Sequence, residues 1–175
     1  SKGKVIRAYT SEKPAHTTSW PGGPSSELVL PKKEGFNRVH WDFRRAPIPA
    51  VDKVFVYGSY AGSRVGPGTY KARLTYGTEQ RETSLTVLAN PNIDAVQADF
   101  DEQQALLDQI DAALGSIHGS VSRMREIQTQ LQFYIKGLKG NTAYSSISEK
   151  ATEIEEKLKA WEMKLIQPQQ KTFQD

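Results

Sequence analysis

Residues 94–138 read DAVQADFDEQQALLDQIDAALGSIHGSVSRMREIQTQLQFYIKGL, a stretch without proline. Apolar residues recur in it at spacings that alternate between four and three residues. The alternation is broken once, where two spacings of three follow each other, and the pattern is typical of a helix that packs along one face. Asp94 with Gln97 predicts a capping box at its start, and Gly140-Asn141 predicts its end. We therefore expect one helix over about residues 95–139. The repeating positions are Val96, Phe100, Gln103, Leu107, Ile110, Leu114, Ile117, Val121, Met124, Ile127, Leu131, Tyr134 and Leu138.

Two glycines inside this stretch leave an alternative open. Gly115 and Gly119 each cost about 1 kcal/mol relative to Ala in a helix interior, and a break there predicts a three-helix bundle. The spacing of apolar residues continues across both glycines, which favours the single helix.

A second helix is predicted over about residues 144–166, because apolar residues again alternate four and three before Pro168 ends the pattern. The short Gly140-Asn141 connection predicts that residues 91–175 form a long antiparallel helical hairpin of the coiled-coil type. The repeating positions of the second helix are Ile147, Ala151, Ile154, Leu158, Trp161 and Leu165.

In residues 1–90, apolar residues instead alternate with polar ones. This period of two predicts β-strands with one buried face and one solvent-exposed face. The clearest runs are Val39–Phe43, Tyr70–Tyr76 and Thr83–Val87, separated by glycine- and proline-rich turns. Shorter candidates are Val5–Tyr9, Glu27–Leu30 and Lys53–Tyr57. About six short strands predict an Ig-like antiparallel β-sandwich, so the expected fold class is α+β. Trp41, between Val39 and Phe43, is expected to be a buried core residue.

Composition excludes several classes of protein. The 175 residues contain no cysteine and carry a net charge of +3, so disulfides and cysteine–zinc sites are absent. No apolar run approaches the roughly 20 residues that span a bilayer, and no signal peptide is visible. Residues 1–90 hold 14 basic against 7 acidic residues, but the basic residues are scattered. We therefore expect neither a nucleic-acid nor a membrane partner.

No catalytic, metal-binding or cofactor-binding residues are predicted. The three histidines share no ligand spacing, and the acidic pairs Glu153–Lys157 and Glu155–Lys159 read as surface ion pairs. Three aromatic residues are candidates for stacking on a sugar ring, although packing in the core or in a loop is the favoured interpretation of all three. These candidates are Trp20, Tyr57 and Tyr60.

The unequal helix lengths predict an interaction surface. A second helix of about 22 residues covers only half of the first, which leaves an apolar seam for the sandwich, a second subunit or further chain. The seam consists of Phe100, Leu107, Ile110 and Leu114.

The sequence also resembles a known group of proteins. The runs Trp41-Asp42-Phe43-Arg44, Gly66–Leu74 and Leu85-Thr86-Val87 resemble the Ig-like domain near the C-terminus of large bacterial proteins with a sortilin-type β-propeller, which are usually described as glycosyl hydrolases. The segment Gly3–Arg7 with these runs is also similar to the Ig-like domain of the flagellar hook-capping protein. Residues 94–138 resemble the helical region that follows in the propeller proteins.

The resemblance implies a non-catalytic structural or interaction module from the C-terminal region of a longer, secreted or periplasmic parent, whose catalytic part would be the propeller. The implied partner is the remainder of the parent chain or a second subunit at the seam. The alternative is a carbohydrate-binding module that uses the sandwich aromatics to hold a glycan. A hydrolase in its own right would need two carboxylates facing one cleft, and the pattern predicts no such pair.

Overall fold

The computed structural model describes residues 3–13, 19–172 and 174. It is a mixed α and β structure with a two-stranded antiparallel sheet and two helices, one of them long. The elements in chain order are β1 (Gly68–Tyr76), β2 (Glu79–Val87), α1 (Gln97–Leu138), a 3-10 turn (Thr142–Tyr144) and α2 (Ser145–Leu165).

The prediction of one unbroken helix is confirmed, because α1 continues for 42 residues through both Gly115 and Gly119. At 1.5 Å per residue it is about 63 Å long. The predicted capping box is wrong: the N-cap is Val96, whose N–H donates to Asp99 Oδ2 over 2.8 Å. The predicted end is confirmed, since Gly140 has a φ of +85° just beyond the helix.

The strands β1 and β2 form a hairpin around Gly77, whose φ of +58° suits a tight two-residue turn. Tyr70 lies opposite Leu85 and near Trp41 at the base of this hairpin. The far end is exposed, with Tyr76 at 84%. The expected buried face of Tyr70–Tyr76 is therefore wrong beyond its first residues, because among the described residues no second sheet packs against the far half of this hairpin.

Elsewhere in the described part of residues 1–90, the predicted strands do not form regular strands. Phe43 and Lys53 have φ values of 58° and 56°, which interrupt the extended backbone that two of those strands require. Residues 43–48 nevertheless run antiparallel to residues 60–65 and exchange backbone hydrogen bonds of 2.8 to 3.0 Å with them. Ala46 also donates to the carbonyl of Ile6 over 2.8 Å.

Trp41 is half-buried rather than fully buried. Its Nε1 donates to the carbonyl of Arg44 over 2.9 Å, and its ring meets Tyr70 edge-on at 5.8 Å. Val39 and Phe43, expected to share its buried face, are exposed. The left-handed backbone at Phe43 ends the alternation of faces there, so the side chains no longer follow the strand pattern.

The helices contact each other along the second half of α1. Gln132 pairs with Glu155 and Arg125 pairs with Glu162, so the chain directions are opposed. The buried residues of α2 are Ala151, Glu155 and Glu162. This corrects the predicted register on α2, because Ile147, Ile154 and Trp161 were expected to face α1 and are exposed.

A small apolar core lies where residues 51–54 meet both helices. Val51 and Val121 are fully buried and Val54 nearly so, with Met124 and Ile166 packed beside them. Each fully buried aliphatic side chain contributes about 1.5–3 kcal/mol to stability relative to an exposed one. The core therefore joins the N-terminal half to the helix pair at one end of their contact.

Candidate interaction site

The N-terminal half is held along α1 by polar contacts that begin near the start of the helix. The backbone N–H of Gly66 donates to Gln104 Oε1 over 3.2 Å. One turn further on, Arg45 forms an ion pair with Asp108 and approaches Asp111 at 3.8 Å. Ser63 donates to the same Asp111 carboxylate over 2.9 Å. These groups fix the register of residues 45–66 against the helix.

Arg45 sets the electrostatics of this cluster. Its side chain is largely buried, and its hydrogen bond to Asp108 holds the pKa of that carboxyl below its usual range. Because Asp108 and Asp111 lie three residues apart on one helix face, a single guanidinium reaches both. The one guanidinium offsets half of the charge of the two carboxylates, and the arrangement offers no pair of carboxylates across a cleft.

His118 anchors the middle of the contact. It is buried, and its Nδ1 lies 2.7 Å from the carbonyl oxygen of Pro49. The ring of Tyr60 packs beside it at 5.7 Å, and the Tyr60 hydroxyl donates to Val54 O over 3.1 Å. Burial raises the pKa of Tyr60. The contacts of His118 and Tyr60 therefore hold the N-terminal half against α1 by packing and by hydrogen bonds.

Arg125 joins three parts of the chain at the far end of the contact. It donates to the carbonyl of Asp52 and forms an ion pair of 2.7 Å with Glu162 of α2. Gln128 donates to the other oxygen of Glu162 over 3.4 Å. Since Glu162 is buried, these donors replace the water that its carboxylate would otherwise hold.

The predicted seam lies on the part of α1 that the N-terminal half approaches. Phe100, Leu107 and Leu114 are half-buried, and Ile110 is 43% exposed. Gly66 lies close to the Cβ of Phe100. The seam is therefore partly covered within the chain, and Ile110 is its most exposed member.

The three candidate sugar-stacking residues do not present one platform. Tyr60 is only 2% exposed, so its ring faces the interior. Trp20 is half-buried, its Nε1 donates to Val54 O over 2.9 Å, and its ring meets Tyr60 edge-on at 78°. Tyr57 is well exposed and meets Phe55 edge-on at 6.3 Å. Flat sugar rings need coplanar exposed faces, and this geometry does not supply them.

A shallow cavity of about 310 Å³ lies between residues 54–56 and the end of α2. Its lining includes Phe55, His118, Met163 and Gln167. Sequence patterns could not have located it, because it forms only where the N-terminal half and α2 meet. The His118 nitrogen nearest the backbone is already engaged with Pro49.

The described residues contain no cluster of three or more His, Asp or Glu side chains able to hold a metal ion. His16 lies outside the described residues. Within the same part of the chain, neither helix is long and apolar enough to cross a membrane. Comparisons with protein-family models, with curated proteins and with solved structures found no match to this chain. The resemblance to propeller-associated domains therefore stays a prediction.

Proposed function

We propose that this chain is a non-catalytic structural and interaction module from the C-terminal region of a secreted or periplasmic, glycosyl-hydrolase-like β-propeller protein. The parent and its location rest on the sequence resemblance alone. The structural role rests on the contact between the two halves of the chain, which engages α1 from Gln104 to Arg125. At 1.5 Å per residue, that contact extends over about 32 Å.

We also propose a finer architecture, an Ig-like β-sandwich followed by an antiparallel helical hairpin. Support for the sandwich comes from residues 43–48, which hydrogen-bond to residues 60–65 on one side and to Ile6 on the other. Support for the hairpin comes from the opposed pairings of Gln132 with Glu155 and of Arg125 with Glu162.

The contact along α1 is the observation that carries the structural role. Contacts spread along a helix stiffen the unit they join, and a long helix held in this way sets a fixed distance between its ends. The partner that we propose for the seam is the remainder of the parent chain or a second subunit, with Ile110 the first residue it would cover. No glycan, nucleic acid or cofactor is needed for this role.

Activity measurements test the non-catalytic part. Incubation of the whole chain with a panel of nitrophenyl glycosides is expected to give no turnover. Turnover that disappears when one Asp or Glu of this chain is substituted would overturn the proposal.

Thermal unfolding tests the structural part. Near-UV circular dichroism and the helical signal at far-UV wavelengths should report one shared transition. Asp108→Asn with Asp111→Asn removes the carboxylates that Arg45 binds, and should lower both transitions together by roughly 3–6 °C, as expected for a loss of about 1–2 kcal/mol in a chain of this size. Asp101→Asn is the matched control, because the Asp101 carboxylate accepts a hydrogen bond from Gln97 within α1. Two separate transitions in the unsubstituted protein would contradict a joined unit.

A further inference from the structure

The two helices carry apolar stripes that do not face each other. On α1, each apolar residue of the stripe immediately precedes in the sequence a residue on the side that faces α2. Leu131, for example, precedes Gln132. The same holds on α2, where Ile154 precedes Glu155 and Trp161 precedes Glu162. The α1 stripe is Ile127, Leu131, Tyr134 and Leu138, and the α2 stripe is Ile147, Ile154, Trp161 and Leu165.

Helix geometry places both stripes on the same side of the helix pair. One residue corresponds to a rotation of about 100° around a helix axis. The two helices run in opposite directions, so their rotations have opposite sense when viewed from one end, and their contact faces also point in opposite directions. A step back of one residue from the contact therefore leads to the same side on both helices. The residues that hold the N-terminal half, such as Asp111 and His118, lie on the other flank of α1.

Five of the eight residues of this combined face are exposed in the described chain. Tyr134 is 60% exposed, Trp161 58% and Ile147 55%. Ile154 and Leu165 are also exposed, and Ile127, Leu131 and Leu138 are half-buried. We call these eight residues the stripe face.

The area of the stripe face matches what a modest dimer needs. At about 200 Å² for a whole aromatic side chain, the exposed parts of Tyr134 and Trp161 together amount to about 240 Å². With the aliphatic residues of the face and the aliphatic stems of the neighbouring lysines added, the exposed apolar area of the stripe face is about 600 Å². Two such faces would bury about 1,200 Å², the lower bound of specific, stable interfaces.

The basic side chains beside the stripe face each have a partner within the chain. Lys150 and Lys157 both pair with Glu153, which lowers the pKa of that carboxyl to about 2. Lys164 lies over the ring of Trp161 at 4.8 Å, and on α1 Arg123 pairs with Glu126. Because two lysines share one carboxylate and Lys164 has an aromatic ring as its partner, the border keeps a small positive excess. The choice of a second copy as the occupant therefore rests on the area of the stripe face.

We propose that two copies of this chain associate through the stripe face, with a two-fold axis that brings four helices together. This association goes beyond the proposed function, because it uses a different surface from the seam and requires neither a parent protein nor the absence of catalysis. Loss of self-association would leave the glycoside test unaffected, and the unfolding test would still report whether the two halves unfold in one shared transition, although at a lower temperature.

Sedimentation velocity over a concentration series tests the proposal. The unsubstituted chain should shift from the 19.5 kDa monomer toward twice that mass at micromolar to submillimolar concentrations, the range expected of an interface near 1,200 Å². Tyr134→Glu should weaken the association at least about tenfold, because it places a charge in the apolar face.

Phe133→Glu is the matched control. Phe133 is the adjacent, exposed aromatic residue on the same helix. Its ring meets that of Tyr134 edge-on at 5.8 Å, but its Cβ points about 100° away around the helix, so its substitution should affect the association far less than Tyr134→Glu does. Far-UV circular dichroism of both variants should match that of the unsubstituted chain, since both sites are exposed. A second variant, Ile154→Glu on α2, should weaken association as Tyr134→Glu does. A chain that stays monomeric throughout the series, or equal effects of Phe133→Glu and Tyr134→Glu, would overturn the proposal. Sedimentation of such a monomer with anionic lipid vesicles would instead assign the stripe face to a membrane surface.

Discussion

Substitution of Arg125 by Leu is the sharpest test of how the three parts of the chain are joined. Arg125 donates to the carbonyl of Asp52 in the N-terminal half and pairs with Glu162 of α2. The Glu162 side chain is 11% exposed and that of Arg125 is 30% exposed. Leu retains much of the apolar stem volume but removes every donor.

The expected loss follows from the carboxylate left behind. Removal of one partner from a fully buried ion pair costs about 3–5 kcal/mol, and partial hydration of Arg125 reduces this to about 2–3 kcal/mol here. Because Gln128 remains as a neutral donor to Glu162, we expect the loss in free energy of unfolding to lie near the lower end of this range. The double variant Arg125→Leu with Glu162→Leu replaces the pair by apolar groups and should lie within about 1 kcal/mol of the unsubstituted protein.

Urea unfolding followed by the helical circular dichroism signal measures these differences. Arg123→Leu is the matched control, because Arg123 lies on the same helix in an exposed pair with Glu126; it should change the free energy of unfolding by less than about 0.5 kcal/mol. Arg125→Leu within the range of the control, or a double variant as unstable as the single one, would refute the reasoning.

Three further substitutions have defined outcomes. Gly62→Ala should lower the free energy of unfolding by at least about 2 kcal/mol, since a Cβ there overlaps a backbone carbonyl oxygen, whereas Gly58→Ala, in open space, should be near neutral in the same urea titration. Gly115→Ala should raise thermal stability by about 1 kcal/mol, because the site is open and helical; an unchanged or lower melting temperature would contradict it. The flanking lysines lower the pKa of Glu153 from 4.5 to about 2, so its contribution to stability is present above pH 4.5 and is lost as the pH falls toward 2. Glu153→Gln should flatten the pH dependence of the melting temperature in that window, and an unaltered slope would refute the assignment.

The helices were predictable because their information is local. The spacing of apolar residues from Val96 to Leu138 and the absence of proline specify a helix through interactions three and four residues apart. The same argument holds for α2 and for the strands β1 and β2, where the alternation of apolar and polar residues acts within a few residues. The turn at Gly77 was not singled out from the sequence. The burial of that hairpin's apolar face was not predictable, since it depends on whether a distant part of the chain packs against it.

The candidate sites were less predictable. The aromatic residues Trp20 and Tyr60 could be read as exposed or packed, and only their contacts with Val54 decide between these readings. The seam was located by helix length alone, while the approach of Gly66 to Phe100 depends on how the N-terminal half lies on α1. His118 and Arg125 had no motif, because their partners are backbone carbonyls 69 and 73 residues away in the sequence.

The sequence by itself determined where the two helices and the strands β1 and β2 form, because periodicity, glycines and prolines act over a few residues. The tertiary structure alone decided which face of α2 meets α1. The apolar repeat favoured Ile154 and Trp161, but the contact is made by Glu155 and Glu162. Those carboxylates find Gln132 and Arg125 across the interface, and a buried acid is tolerated only where another part of the chain supplies its donors.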